Sequence, residues 1–155
     1  MRSARQGSVR TTVYAPPEKV YGVLASLERM GDWSPECYKV AWLDGASSPA
    51  RPGARFKGWN RYSFLRWTMT CEVKTAEPGT EISWATKKGD RDLVTWRYRM
   101  EPTGDGGTEL TESFECHWLP PSAVLAEDFL MVDRDRRRER AMQATLDRIK
   151  AAAEG

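Results

Sequence analysis

Gly107-Thr108-Glu109-Leu110-Thr111-Glu112-Ser113-Phe114-Glu115-Cys116-His117-Trp118 is the stretch of the sequence that decides the fold. Apolar and polar residues alternate along it, which predicts a β-strand with one face in the core. The apolar face carries Leu110, Phe114, Cys116 and Trp118, and the polar face carries Glu109, Thr111, Ser113, Glu115 and His117. Glu112 also lies on the apolar face. It needs partners or must become neutral, because burying an unpaired charge is very costly. If this face lines a cavity, Glu112 is the best-placed chemical group in the chain.

The length and composition predict a single domain. The chain has 155 residues, which is long enough to bury a substantial core. Of these residues 40% are hydrophobic, and seven tryptophans is a high count. We expect one domain over residues 1–155, with residues 1–7 as a loose N-terminal tail. No apolar run approaches the roughly 18 residues that cross a bilayer, and the N-terminus lacks the apolar segment of a signal peptide. These features predict a cytoplasmic protein with no membrane span.

The charge and the metal-ligating residues exclude several classes of function. The net charge of +2 favours no general nucleic-acid binding. The arginines of residues 134–140 alternate with acidic residues, which favours a solvated, salt-bridged helix face over a nucleic-acid patch. Three cysteines and one histidine show no metal-binding spacing, so we expect no metal site and no cofactor. Cys37, Cys71 and Cys116 are predicted to be free thiols, as in a reducing compartment.

The order of the predicted elements is a strand, two short helices, six strands and a long helix. Residues 8–14 alternate as a first strand, and Pro17 is well placed to open a helix that runs to Leu27. A short helical turn follows within residues 28–34. Further strands are predicted at residues 37–43, 55–62, 66–75, 81–86, 93–100 and 107–118. The short connections, including a hairpin turn at residues 77–80, predict an antiparallel meander.

The C-terminal third is helical in composition. Pro120 and Pro121 end the strands, Ser122 is a plausible N-cap, and the helix is predicted to run to about Ala153. Its packed face is marked by Phe129, Met142, Leu146 and Ile149. Toward the N-terminus that face turns polar, through Arg138 and Asp135. Either one long helix lines a half-open cavity with these polar residues, or the segment breaks or curves and exposes them.

These elements predict an α+β fold in which a curved antiparallel sheet of about seven strands wraps around the C-terminal helix. Five segments carry a resemblance to a known family: APPEKVY at 15–21, LERMGDWSPE at 27–36, PGARF at 52–56, WRY at 96–98 and GTELTE at 107–112. They resemble the SRPBCC (START-like, helix-grip) superfamily, and most closely its polyketide cyclase/dehydrase branch. The resemblance covers the chain from about Ser8 to its end. It implies an internal cavity between sheet and helix, but it carries over no catalytic residue.

Glu112 is the first candidate for chemistry. As a buried carboxyl group with a raised pKa it suits a general acid or base; alternatively it is structural, hydrogen-bonded to Tyr98 or paired with Arg138. Tyr98 and Tyr62 can donate to a developing enolate, or they can be core tyrosines with satisfied hydroxyls. Asn60 can orient a ligand carbonyl or bind the neighbouring backbone. His117 is predicted to point outward into solvent.

Three functions are compatible with these residues. The first is binding of a small hydrophobic or aromatic molecule, lipid-like or polyketide-like, in the cavity. The residues expected to contact such a ligand are Trp33, Phe56, Asn60, Tyr62, Trp67, Met69, Trp84, Trp96, Phe114 and Phe129. The second is a cofactor-independent polyketide cyclase, dehydratase or isomerase, with Glu112 as acid/base and Tyr98 holding the oxygen. The third is a partner-binding surface at Trp59 or at the arginine-rich helix, in a monomer or a homodimer.

Overall fold

The computed structural model describes residues 5–131 and 133–155. Within them, seven strands form one antiparallel sheet in the order β1-β7-β6-β5-β4-β3-β2. The strands are β1 (Gln6–Val13), β2 (Cys37–Trp42), β3 (Arg55–Tyr62), β4 (Leu65–Glu77), β5 (Glu81–Lys88), β6 (Arg91–Pro102) and β7 (Thr108–Cys116). The helices are α1 (Pro17–Ala25), α2 (Met30–Trp33), α3 (Pro121–Phe129) and α4 (Arg134–Glu154), with a 3₁₀ turn at Leu27–Arg29. None of the helices in the described ranges is both long and apolar enough to cross a membrane.

The predicted meander is confirmed. Strands β2 to β6 each pair with the next strand along the chain, and β1 pairs with β7 and so forms the edge of the sheet opposite β2. The turn between β4 and β5 has Gly79 at a φ of 75°, a left-handed conformation that glycine adopts without strain. Pro17 opens α1, as predicted. The sheet curves around the C-terminal helix and leaves its apolar face on the inside, which is the α+β helix-grip architecture.

Some element boundaries differ from the prediction. Strand β1 begins at Gln6, and Gln6 and Gly7 pair with Glu115 and Phe114, so these two residues belong to the sheet and not to a loose tail. Residues 1–4 of the predicted tail lie outside the described residues. Strand β7 ends at Cys116, so Trp118 lies beyond it, with the Arg91 guanidinium carbon 3.9 Å from its ring centroid.

Strand β2 contains an irregularity that sequence alternation did not predict. The pairing register with β3 shifts between Cys37 and Lys39. A bulge adds one residue to one strand, so the residues beyond it point to the opposite face from the one that simple alternation predicts. Strict alternation along residues 37–43 would place Tyr38 and Val40 on one face, but Tyr38 is exposed and Val40 is buried.

The C-terminal segment is two helices and not one. Helix α3 ends at Phe129 and α4 begins at Arg134, and Asp133 between them has a left-handed φ of 55°. Phe129 is 74% exposed, so its predicted place on the packed face is wrong. Ser122 is not an N-cap either, because α3 already begins at Pro121. Neither alternative holds in full. The helix breaks, as the second predicted, but Arg138 is buried and lines the cavity, as the first predicted, and Asp135 is exposed.

The C-terminal half of α4 is the centre of the core. Leu146 and Ile149 are fully buried and Met142 is buried, as predicted. Leu146 and Ile149 belong to one apolar cluster with Val13 and Val20. Each such aliphatic side chain stabilises the fold by about 1.5–3 kcal/mol through burial. This packing holds one end of the helix tightly against the sheet, and the space that remains lies toward its N-terminal end.

Candidate ligand-binding cavity

An inner chamber of about 100 Å³ lies between the sheet and α4. The inward-facing positions of strands β3 to β7 form its floor, because alternation sends every second side chain to this face. Helix α4 covers it with Arg138, Met142 and Thr145. The sheet contributes Phe56, Gly58, Asn60, Met69, Cys71, Trp84, Thr86, Trp96, Tyr98 and Glu112, and the segment before and within β2 contributes Ser34, Glu36, Cys37 and Val40. The chamber is therefore mostly apolar, with a few polar groups.

An outer chamber of about 440 Å³ adjoins the inner one. The two share a set of lining residues that we call the neck: Glu36, Asn60, Met69, Thr86 and Trp96. Trp67 lines the outer chamber from β4, Ala123 and Ala126 line it from α3, and Arg134 lines it from the first turn of α4. The break between α3 and α4 thus builds the outer chamber, since α3 turns away from the line of α4 and covers the open end of the sheet.

Glu112 and Tyr98 form the polar centre of the inner chamber. They are directly opposite each other on β7 and β6. The Tyr98 hydroxyl donates a hydrogen bond to the Glu112 carboxyl group. Glu112 is 4% exposed, and its Oε1 has no hydrogen-bond partner in the described part of the chain. Burial raises the pKa of Glu112 to about 8, with a smaller contribution from Glu36 and against the Tyr98 hydrogen bond.

The consequence is that Glu112 is predominantly a neutral carboxylic acid at pH 7. Burial also raises the pKa of Tyr98 well above its ordinary value, and the nearby Glu112 adds to that shift. Both groups therefore keep their protons at neutral pH. One carboxyl oxygen remains able to interact with a ligand, because the hydrogen bond from Tyr98 leaves Oε1 without a partner.

Aromatic rings make one wall of the inner chamber. Trp84 is stacked on Tyr98, with ring centroids 5.6 Å apart, and meets Phe56 edge-on at 5.9 Å. Trp96 packs against Phe114 at 5.5 Å. The guanidinium carbon of Arg138 lies 4.5 Å from the Phe114 ring centroid. These contacts hold the rings in place, and fixed planar surfaces suit a planar apolar ligand.

An ion pair lies at the neck. Arg134 donates a hydrogen bond of 2.7 Å from Nη1 to Oε2 of Glu36, and the two side chains are 10% and 20% exposed. Arg138, one turn further along α4, is buried, and burial lowers the pKa of its guanidinium, as does the proximity of Arg134. The Asp135 carboxylate lies 3.9 Å from Nη2 of Arg138. Two arginines from α4 are thus turned toward the cavity and not toward solvent.

Eight of the predicted site residues line the two chambers. They are Phe56, Asn60, Trp67, Met69, Trp84, Trp96, Tyr98 and Glu112. The other four lie elsewhere. Trp33 is buried in the core under Arg29, and Tyr62 is buried beneath the guanidinium of Arg137, 4.2 Å from its ring centroid. Phe114 packs against the Trp96 ring, and Phe129 is exposed on α3.

Several residues of the cavity were not among the predicted site residues. Glu36 and Arg134 come together from positions 98 residues apart, so no local pattern pairs them. Cys37 reaches the chamber because of the bulge in β2, and burial raises the pKa of its thiol to about 11. Met142 and Thr145 line the chamber from α4. The helical period of the packed face could have identified Met142 as a lining residue.

Two aromatic groups considered for function lie outside the cavity. His117 is exposed, as predicted, and its Nε2 lies 2.7 Å from the Thr95 hydroxyl. Trp59 is half-buried between Lys39 and Lys57, whose Nζ atoms lie 4.6 and 4.8 Å from its ring centroid. The two lysine side chains already cover its ring, which leaves little apolar surface for a partner.

Solved structures of the same fold come from several bacteria. The Zhui aromatase/cyclase of Streptomyces sp. R1128 superposes with a TM-score of 0.72 at 20% identity, over 97% of this chain and 93% of that one. TTHA0849 of Thermus thermophilus gives a TM-score of 0.72 at 16% identity, over 96% of both chains. The Polyketide_cyc-like protein Cgl2372 of Corynebacterium glutamicum is 29% identical, with a TM-score of 0.59 over 99% of this chain and 91% of that one.

The first two likenesses show the helix-grip fold. No functionally curated protein matches the sequence. The family model described as polyketide cyclase / dehydrase and lipid transport matches residues 5–154, which is nearly the whole chain. The family expected from the five sequence segments is confirmed, and the chain belongs to the polyketide cyclase / dehydrase and lipid transport family.

Proposed function

We propose that this protein binds a small hydrophobic or aromatic molecule in the two connected chambers. The observation that carries the proposal is Oε1 of Glu112, a buried polar atom without a partner in the described residues, in a chamber otherwise walled by aromatic and apolar side chains. A buried polar atom in this state is destabilising by about 1–3 kcal/mol unless something bonds to it. A ligand hydroxyl or carbonyl group meets that need, and the rings of Trp84 and Trp96 supply the apolar contact.

The size of the chambers indicates how the ligand is divided between them. A cavity of roughly 150 Å³ holds a benzene molecule, whereas the inner chamber measures about 100 Å³. The inner chamber therefore takes a polar tip, a short chain or one edge of a ring, but no complete ring. The bulk of the ligand lies in the outer chamber of about 440 Å³, with its tip passing the neck toward Glu112.

Gly58 offers a direct test, because it lines the inner chamber and has room for a side chain. A Cβ added there would meet Sγ of Cys37 at 3.6 Å and Nδ2 of Asn60 at 3.9 Å, which are ordinary contacts. Gly58→Val is therefore expected to fill the chamber without breaking the fold. The matched control is Thr111→Val, on the opposite face of the sheet.

The probe for this test is N-phenyl-1-naphthylamine, a neutral aromatic amine whose fluorescence rises in apolar surroundings. We expect the wild type and Thr111→Val to bind it equally, and Gly58→Val to bind it at least ten times more weakly. Native mass spectrometry of the protein purified from its own host then identifies any natural ligand. The proposal is wrong if the wild type binds no probe and carries no small molecule, or if Gly58→Val binds the probe as well as the wild type does.

A second function, cofactor-independent cyclase, dehydratase or isomerase chemistry, is favoured by the raised pKa of Glu112. A carboxyl group with a pKa of about 8 exchanges protons readily near neutral pH. In its ionised form Glu112 accepts a proton from the carbon next to a ligand carbonyl and becomes neutral. The Tyr98 hydroxyl then turns its one proton from Glu112 to the enolate oxygen that has formed. The same proton then returns to carbon or oxygen, so the step needs no cofactor.

Hydrogen–deuterium exchange separates this second function from simple binding. The C1 protons of 2-tetralone in D₂O are the probe, and NMR follows their loss. A catalytic Glu112 predicts faster exchange with the wild type, rising toward pH 8, and no acceleration with Glu112→Gln, while the affinity for the probe amine stays nearly unchanged. Equal exchange by both proteins excludes Glu112 as the acid/base and leaves binding as the function.

A further inference from the structure

Arg134 has an unusual position for an arginine at the start of a helix. Its side chain is only 10% exposed and lines the outer chamber. Nη1 donates to Glu36, and the guanidinium carbon lies 5.1 Å from the ring centroid of Tyr62. An exposed arginine could have pointed into water from the same position. The fold instead holds this one against the wall of the chamber, beside the neck.

The guanidinium is only partly satisfied there. Nε of Arg134 is buried and has no hydrogen-bond partner in the described residues. Glu36 accepts from Nη1 and leaves the Nε–H for a second acceptor. Leaving a charged donor buried without a partner is more costly than leaving a neutral one, so this atom requires an explanation. An acceptor that arrives with a ligand is such an explanation, and the chamber beside it has the volume to hold one.

The other charged groups of the outer chamber do not take this role. Arg66 is exposed, and its Nη1 donates to the carbonyl oxygens of Ser63 and Leu65 at 2.8 and 2.9 Å. Glu127 lines the chamber from α3 and carries the same charge as an anionic ligand group. Arg134 is therefore a buried cation beside the neck that retains a donor for an anion.

We propose that Arg134 binds an anionic group of the ligand, a carboxylate or a similar oxyanion, in the outer chamber, while the apolar part of the same molecule lies against Trp96 at the neck. This inference rests on the proposed ligand-binding function and names the chemical class of the ligand: an apolar or aromatic acid. Guanidinium groups suit this task, because their donors match the two oxygens of a carboxylate. Glu36 then holds Arg134 in place. Its negative charge competes with that of the ligand for the positive charge of the guanidinium.

The test compares two molecules of nearly the same shape, the anion 2-naphthoate and the neutral 2-naphthamide. Each displaces N-phenyl-1-naphthylamine from the cavity, and the displacement gives its affinity. A hydrogen bond to a charged group contributes about 1.5–3 kcal/mol, which corresponds to roughly 10- to 150-fold in affinity. We expect the wild type to bind naphthoate at least tenfold more tightly than naphthamide.

Three variants assign that preference to Arg134. Glu36→Gln removes the competing carboxylate and is expected to strengthen naphthoate binding at least threefold without changing naphthamide binding. The double variant Arg134→Gln, Glu36→Gln leaves no unpaired charge at the neck, so it is expected to fold and to bind both molecules within about threefold of each other. Arg136→Gln, at an exposed position of α4, is the control and keeps the wild-type ratio.

The outcomes separate the two proposals. If the neutral probe binds but naphthoate is not preferred, the inference is wrong and the proposed function stands. A preference that survives the double variant assigns the anion to another group and overturns the inference as well. If no probe binds the wild type, the molecule that it carries from its own host decides: an empty protein overturns both proposals, and a bound molecule without an anionic group overturns the inference alone. Should the double variant not fold, the response of Glu36→Gln decides, because unchanged naphthoate binding there contradicts the role given to Arg134.

Discussion

Replacing Glu112 by glutamine is expected to stabilise the protein at neutral and alkaline pH, although it removes a buried hydrogen-bonded group. The reason is the pKa of about 8 in the folded protein, against 4.5 as the ordinary value. Between these two values the folded state holds a proton that the unfolded state has released. The stability that Glu112 contributes is therefore complete below about pH 4.5 and is lost as the pH rises toward 8.

The magnitude follows from the size of the shift. One pKa unit corresponds to about 1.4 kcal/mol, so the whole shift corresponds to about 5 kcal/mol above pH 8 and about 3 kcal/mol at pH 7. Glutamine has nearly the same shape, needs no proton, and its carbonyl oxygen can accept the hydrogen bond from Tyr98. The free energy of unfolding of Glu112→Gln should thus resemble that of the wild type near pH 4.5 and exceed it by about 3 kcal/mol at pH 7.

Urea denaturation followed by tryptophan fluorescence at a series of pH values from 4.5 to 9 measures this difference. The control is Glu109→Gln on the same strand, where the side chain is 45% exposed beside Arg10. A surface pair of this kind is worth at most about 1 kcal/mol. A difference between Glu112→Gln and the wild type that stays constant over the whole range would refute the reasoning, because it would mean that Glu112 does not take up a proton on folding.

Three further predictions concern other parts of the structure. Breaking the neck ion pair by Glu36→Ala should destabilise the protein by about 2 kcal/mol, and a double-mutant cycle with Arg134→Ala, measured by urea unfolding, should give a coupling of at least about 1 kcal/mol. Additive effects would argue against the pair. Gly31→Ala should destabilise the protein by about 2 kcal/mol or more, because the added Cβ would overlap the carbonyl oxygen of Tyr38. Gly22→Ala in α1, where an added Cβ meets nothing within 4 Å, should instead raise the stability by about 0.5–1 kcal/mol. Equal thermal shifts for the two would contradict this account. Cys37, whose thiol has a pKa of about 11, should react with iodoacetamide at pH 8 on the order of 100-fold more slowly than an unhindered free cysteine. Peptide mapping of the labelled protein measures this rate, and labelling at the ordinary rate would show that the thiol is not buried as described.

The sheet and the inward position of Glu112 were predictable from local patterns. Alternation depends only on neighbours two residues apart, and it placed Leu110, Glu112 and Phe114 on the buried face of β7 correctly. Because Tyr98 and Glu112 both lie on that inward face, pairing β6 with β7 was enough to bring them together. Alternation failed at β2, where the bulge before Lys39 moves Tyr38 outward. A bulge depends on the register with the partner strand, and the alternation within one segment carries no information about that register.

The break in the C-terminal segment also escaped the pattern. Composition and helical period were the same on both sides of it, so Phe129 fitted the apolar stripe of a single helix. In the structure α3 turns to cover the open end of the sheet, and Phe129 lies outside. Where a helix ends depends on tertiary packing, which supplies most of its stability and involves surfaces distant in the sequence.

The amino-acid sequence by itself determined the class of the fold, the meander, the apolar inward face and the presence of one carboxyl group on it, because all of these follow from local periodicity and side-chain chemistry. The tertiary structure decided the protonation of that carboxyl group, the division of the cavity into two chambers and the pairing of Arg134 with Glu36 across 98 residues. Desolvation and long-range pairing depend on what surrounds a group in space. The chain acquires those surroundings only when the sheet closes around α4.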